Sequence, residues 1–249
     1  MVNRRVPSEL LDRAVARFER EAQAAAGKTR KQPPRVITIS RALGSGGRSV
    51  SEILARSLNW PLWDREILDV MASRSTLRYQ ARMFESLDET TQSGIDSAVY
   101  SLLGGVHKDV YFYLLPRAIL TIAQNDAVIL GRGAHLLLPN ALKVTLTASF
   151  ETRIKRVATR EGLTETQAVA RVKASDRERE AFLKELTDRL SYAAGGRRVH
   201  VEFDLTIDTD TFSLQQAASM ILEAAAHRFG LGDIAGIPKI TTPASRERE

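Results

Sequence analysis

Residues 36–49 constrain this chain more than any other stretch, because a strand, a glycine-rich turn and a helix follow one another there without a gap. Val36 to Ser40 is a short apolar, β-branched run suited to a buried parallel strand. Val50, Ile53, Leu54 and Leu58 then recur at helical spacing, so a helix is expected to open near Ser49. Between them Gly44, Gly46 and Gly47 allow the backbone to approach a ligand where a β-carbon would clash. This order aims free backbone N–H groups and the positive end of a helix dipole at an anion, so Gly44, Ser45, Gly46, Gly47, Arg48 and Ser49 form a candidate phosphate-binding loop. Against the pattern G-x-x-x-x-G-K-[ST], the frame from Ala42 to Ser49 keeps Gly47 and Ser49 but has Ala42 for the first glycine and Arg48 for the lysine. Arg48 retains the positive charge on a bulkier planar fork that binds phosphate bidentately. Ser49 is the candidate Mg²⁺ ligand. A plain βα turn without a ligand is the competing reading, and the glycine density before an Arg-Ser helix start favours phosphate.

At 249 residues the chain can bury a sizeable core as one large domain. It has no cysteine, hence no disulfide and no thiolate metal site, which fits a cytoplasmic location. No uninterrupted apolar stretch approaches the length of a membrane span, and no leader pattern opens the sequence. The four histidines at 107, 135, 200 and 227 have no metal-ligand spacing. A formal charge of +6 raises nucleic acid as a partner, but acidic residues are interleaved with the basic ones, aromatics are sparse and no nucleic-acid motif accompanies the charge. Anionic small substrates explain the surplus arginine more economically.

The pattern along the chain divides into an amphipathic helix and linker at 1–34, an α/β domain at 35–229 and a loosely ordered tail at 230–249. Leu11, Ala14, Val15 and Phe18 share one face of the first helix, which either packs on the domain or leaves a homodimer open. Strands are expected at 36–40, 127–131, 143–148 and 203–207, with a very short one near 61–64. Asp64 is a plausible N-cap, residues 65–125 read as helical, and Thr164-Glu-Thr-Gln167 is a capping box opening a long charged helix to about 187. Ser213 caps the last helix.

Two further segments carry chemistry. Gly131-Arg132-Gly133 follows a buried strand directly, where open α/β sheets bind ligands, so Arg132 is placed to hold phosphate or a base edge; a structural carboxylate pair is the alternative. Asp176 and Arg179 share a helix face at i, i+3. They form either a solvated salt bridge of little worth, or a carboxylate for a sugar hydroxyl beside a guanidinium for phosphate. His135 lacks partners for nucleophilic catalysis and reads as structural or peripheral.

Taken together these segments resemble the cytidylate kinase-like branch of the P-loop nucleoside monophosphate kinases. The resemblance is carried by residues 37–48, 54–68, 129–135 and 144–153, by Asp176 to Arg179 and by Ile207 to Thr209, in order over about 35–225. It implies a P-loop NTPase three-layer α/β fold with a parallel central sheet, a helical nucleoside-monophosphate region at about 65–125 and a mobile lid at about 155–195. It also implies ATP and Mg²⁺ as cofactors and transfer of the γ-phosphoryl group to CMP or dCMP. By position in the motifs, residues 44–49 would hold the donor phosphates, and Arg132 would lie near the acceptor. Asp64, Asp176 and Arg179 would contact the acceptor nucleotide, Arg153 and Arg156 would be lid arginines, and Arg117 would bind the acceptor from the helical region. The chain departs from the family pattern at Gly133, where an aspartate helps to read cytosine, at Arg65-Glu66 after Asp64, and at Arg48.

The expected function is therefore ATP-dependent phosphoryl transfer to a nucleoside monophosphate, with CMP or dCMP leading and with Arg48, Arg132 and Arg153 as the catalytic cations. The alternatives are a non-catalytic nucleotide-binding or regulatory module and a kinase with an acceptor other than CMP. Nucleotides are the expected partners; a membrane is not, and nucleic acid ranks last.

Overall fold

The structure, a computed structural model, describes residues 8–25, 33–73, 77–103, 110–197, 199 and 202–232. Residues 28–32 of the expected linker, 233–249 of the expected tail, His107 and His200 lie outside these residues.

Among the described residues five strands form one all-parallel sheet: β1 (Val36–Arg41), β2 (Leu62–Trp63), β3 (Ala127–Leu130), β4 (Leu142–Thr147) and β5 (Leu205–Asp208). Their order is β2-β3-β1-β4-β5. Ile37 of β1 stands between Val128 of β3 and Leu142 of β4, so β1 is central and its carboxyl end lies at the switch point where such sheets bind ligands. The period-two alternation of side chains sorts the strands onto two faces. Ile37, Ile39, Val128, Leu130 and Val144 pack against α2 (Gly47–Leu58) and α10 (Leu214–Phe229) through Val50, Leu54, Ile221 and Leu222. On the other face Val36, Ala127 and Ile129 meet Leu68 and Met71 of α3 (Arg65–Met71) and Leu115 and Ile119 of α6 (Val110–Ile122). Helices on both faces of a parallel sheet make the three-layer α/β fold that the strand pattern implies.

The amphipathic segment forms α1 (Ser8–Ala25), and its Leu11, Val15 and Phe18 are buried in the same cluster as Tyr79 and Met83 of α4 (Leu77–Glu85). Glu19 adds an ion pair to Arg82 at 2.7 Å. With α5 (Glu89–Leu103), these helices build the layer beyond β2 and β3.

After the short α7 (Ala134–Leu137), α8 (Phe150–Glu161) and α9 (Glu165–Ala193) form a hairpin. Gly162, at φ 65°, ends α8, and the capping box of Thr164 with Gln167 opens α9. α9 runs past the expected 187 and is anchored twice. Ala168 and Val172 pack on Ile154 and Val157 of α8, while Leu186 and Leu190 enter the core beneath α3 and α6. It therefore crosses above the carboxyl ends of β1 and β3, which form the floor of the candidate site.

Candidate functional site

The glycine-rich turn is a preformed cradle. Gly44 and Gly46 lie at φ 89° and 79°, in the left-handed region that glycine enters without a steric penalty. Gly46 is the N-cap of α2 and makes no side-chain cap, so the first N–H groups of the helix remain available to an anion. The helix starts at Gly47, two residues earlier than Ser49. Two neighbours hold the turn tightly: a β-carbon on Gly44 would meet the Arg153 carbonyl at 2.6 Å, and one on Gly46 would meet Leu214 Cδ2 at 2.2 Å. The carbonyls of the loop are also bound. Arg153 Nε donates to Leu43 O at 2.8 Å, Arg156 Nη1 to Gly44 O at 3.3 Å, and the Thr209 hydroxyl to Ser45 O at 3.2 Å. Arg156 in turn donates to Thr209 Oγ1 and O at 2.8 and 2.7 Å. With its carbonyls engaged from behind, and the Ser45 N–H donating to Ala42 O at 3.3 Å, the loop presents the N–H groups at the start of α2.

Arg48 projects away from this cradle. More than half of its side chain is exposed, and its guanidinium lies 3.4 Å from Asp64, 3.2 Å from Glu52 and 3.8 Å from Glu66. Asp64 caps α3 by accepting from the Ile67 N–H at 3.0 Å. Burial pushes the Asp64 carboxyl above the usual carboxylate range and Glu66 adds to the push, while the Ile67 N–H and Arg48 oppose it. Ser49 is exposed one position further along α2.

Beside the loop, Arg41, Arg65, Arg132 and Arg179 converge on a cleft that His135 and Phe182 also line. Arg41 is the last residue of β1, and Arg65 opens α3. Arg132 sits in a left-handed turn with Gly131 at φ 86°, itself at φ 50° and Gly133 at φ 68°. Its guanidinium stacks over Phe182 at 4.9 Å and pairs with Asp69, which also accepts from the Tyr111 hydroxyl at 2.7 Å. The Nε of Arg132 is buried without a hydrogen bond. Arg179 reaches down from α9 to donate to Ser40 Oγ at 3.1 Å, and burial lowers its pKa. Asp176 does not pair with Arg179 but receives Arg153 Nη2 at 2.5 Å, linking α9 to the helix that braces the loop. Burial, followed by the charges of Arg179 and Lys143, lowers the His135 pKa to about 4, so its imidazole is neutral near pH 7.

The structure thus brings Gly44 to Ser49, Asp64, Arg132, Arg153, Asp176 and Arg179 to one edge of the sheet. Arg117 stands apart: it pairs with Asp96 at 3.0 Å and lies 3.7 Å over the Phe84 ring, and it does not line the cleft. Sequence reasoning singled out neither Arg41 and Asp69 nor Tyr111 and Phe182. The terminal position of Arg41 in β1 was the one available signal, since side chains at strand carboxyl ends face the ligand in such sheets. Asp69 and Tyr111 become neighbours only through the packing of α3 on α6.

Four guanidiniums share this cleft with several carboxylates: Arg65 lies 3.6 Å from Asp69 and 3.9 Å from Glu178, while the charges of Glu66 and Asp176 act on Arg41 and Arg179. These guanidiniums, partly withdrawn from water beside the first N–H groups of α2, suit phosphorylated ligands.

No curated protein matches the chain. Among solved structures, an uncharacterized protein from Eubacterium ventriosum ATCC 27560 is similar in fold, with a TM-score of 0.52 and 23% identity over 77% of this chain and 98% of that one. TT1252 from Thermus thermophilus matches at 19% identity and a TM-score of 0.40, over 78% of this chain and 98% of its own. Residues 36–211, from the first strand through the loop-bracing Thr209, match the cytidylate kinase-like family, and the chain belongs to that family.

Proposed function

We propose that this protein moves the γ-phosphoryl group of ATP to a nucleoside monophosphate, with CMP or dCMP as the leading acceptor. The observation that carries the reading is the glycine cradle of residues 44–49 opening beside the four-arginine cleft at the carboxyl edge of β1 and β3. The loop N–H groups would hold the donor phosphates, with Arg48 at the outer rim. Arg132 and Arg179 would hold the acceptor phosphate. Asp176 would position Arg153, and through it the loop, while Asp64 would border the acceptor from the start of α3. Mg²⁺ arriving with ATP supplies charge neutralisation across the phosphates. The Ser49 hydroxyl, exposed in the first turn of α2, fits as a single protein ligand for it. Transfer through a loose transition state asks the protein mainly for in-line positioning and for cations, which this edge of the sheet supplies in number.

A second reading, an acceptor other than a cytidine nucleotide, has one specific observation in its favour. Gly133 adopts φ 68°, and a β-carbon there would lie 2.4 Å from Leu186 Cδ2. An aspartate at this position, as in the family pattern, would therefore be strained. One experiment separates the readings: incubation with ATP and Mg²⁺ against a panel of CMP, dCMP, UMP, AMP and GMP, with products resolved chromatographically. Conversion of CMP or dCMP to the diphosphate is the expected result. Transfer to another nucleotide supports the second reading, and tight ATP binding without transfer to any acceptor sinks both in favour of a regulatory module.

A further inference from the structure

Two of the three loop glycines are explained by their backbone, and the third is not. Gly44 and Gly46 need the left-handed region, whereas Gly47 is absent from the positive-φ residues and begins an ordinary helix. What forbids a side chain at Gly47 is Arg41: a β-carbon there would lie 2.3 Å from Arg41 Cγ and 2.8 Å from its Cβ. The Arg41 stem runs past Gly47, and its Nη1 ends 3.4 Å from where a β-carbon on Gly131 would stand. Its guanidinium therefore lies between the phosphate cradle and the Gly-Arg-Gly turn, at the junction of the two halves of the site.

Arg41 is also the one cleft arginine without a partner among the described residues. Arg65 has Asp69 and Glu178, Arg132 has Asp69, and Arg179 has the Ser40 hydroxyl. Among the described residues Arg41 makes no hydrogen bond or ion pair, and it is half-buried at the foot of the cleft. Burial, and next the charge of Arg65, lowers its pKa to about 10, with Arg179 and Arg132 adding to the repulsion and Glu66 opposing it. A half-buried cation pressed among three others favours an anion that meets both the loop N–H groups and the cleft. Arg48, exposed and satisfied by carboxylates at the rim, does not meet that description.

We propose that Arg41, from the end of β1, is the cation that holds the terminal phosphate of a polyphosphate bound in the loop, and that Gly47 is glycine to let its side chain pass. The assignment rests on the donor-site reading above and moves the loop cation from the residue after the turn to the strand before it. Bidentate donation from a fixed planar fork would suit a terminal phosphate oriented for in-line transfer.

The test uses the full chain and inorganic tripolyphosphate with Mg²⁺ as the probe, measured by calorimetric titration, with melting temperatures of the ligand-free proteins alongside. Arg41→Met is expected to weaken binding roughly 10- to 100-fold, the scale of a charge-assisted hydrogen bond. It should leave the ligand-free melting temperature unchanged or raise it, because a cation crowded by three others is removed. Arg41→Lys, which keeps the charge, should bind more tightly than Arg41→Met, and Arg48→Met should lose less than Arg41→Met. Binding by Arg41→Met equal to wild type overturns the proposal. So does a fall in its melting temperature together with the loss of binding, which would make Arg41 a structural brace. If the wild-type protein itself binds no tripolyphosphate, the donor-site reading fails rather than the choice of cation within it.

Discussion

At the scale of single residues, His135 shows how the site sets charge through burial. It stacks near Phe203 at 4.8 Å, with Arg179 and Lys143 close enough to oppose its protonation. Its folded pKa of about 4 lies below the ordinary 6.5, so between these values the unfolded chain binds the proton and the folded chain does not. The stability contributed by neutral His135 is therefore complete above pH 6.5 and is lost as the pH falls toward 4. The difference amounts to roughly 2–3 kcal/mol between pH 7 and 4.5. Urea unfolding at the two pH values should show wild type losing about that much more stability than His135→Gln; equal losses would show that the imidazole is not held neutral by the fold. The same scale marks the limit of legibility. Asp64 could be read as a cap because the capping signal is local, and its side chain does accept from the Ile67 N–H. Arg41 and Arg48, seven positions apart on either side of one turn, could not be told apart, because which of two nearby arginines is the less exposed depends on neighbours far along the chain.

Among the elements, the strands and capped helices follow their patterns closely. Expectations at 36–40, 127–131, 143–148 and 203–207 correspond to β1, β3, β4 and β5 within about two residues, and both capping boxes form. These signals need only alternation, β-branching or a residue three positions on. What α9 does was less legible. Its charged sequence allowed a solvated Asp176–Arg179 pair, yet the two side chains diverge, one to Arg153 on α8 and the other to Ser40 on β1. Helical spacing states which residues share a face but not what that face meets. α9 also explains Gly133, since Leu186 occupies the space a side chain would need. Gly133→Asp is accordingly expected to cost about 2–4 kcal/mol, from left-handed backbone and overpacking together, instead of restoring cytosine recognition. Adding Leu186→Ala should relieve the collision, so the double variant should be more stable than the sum of the two single losses allows. Strict additivity in urea unfolding would remove Leu186 as the reason for this glycine.

For the whole molecule, function depends on the sheet order. Placing β1 between β3 and β4 brings a loop at residue 44, a turn at residue 132 and a helix at residue 179 to one edge, from segments spread over more than a hundred positions. Among the described residues no helix is long and apolar enough to cross a membrane. Because loop and cleft are built from both core layers, a ligand held there should stabilise the fold as a unit. ATP with Mg²⁺ at a hundred times its dissociation constant should add about 2.7 kcal/mol and raise the melting temperature by roughly 5–10 °C, shifting one cooperative transition. A ligand shift confined to a separate transition would place the site on an independently melting part.

The amino-acid sequence by itself determined the periodicities, the caps, the glycine cradle between strand and helix, and through them the three-layer α/β fold. Those features act over a few residues, where backbone sterics and side-chain spacing leave few choices. Only the tertiary structure decided which arginines have partners: Arg132 with Asp69, Arg153 with Asp176, Arg48 with the rim carboxylates, and Arg41 with none among the described residues. Desolvation and Coulomb forces depend on distance through space, and the distances that count here are between residues that the chain alone keeps far apart.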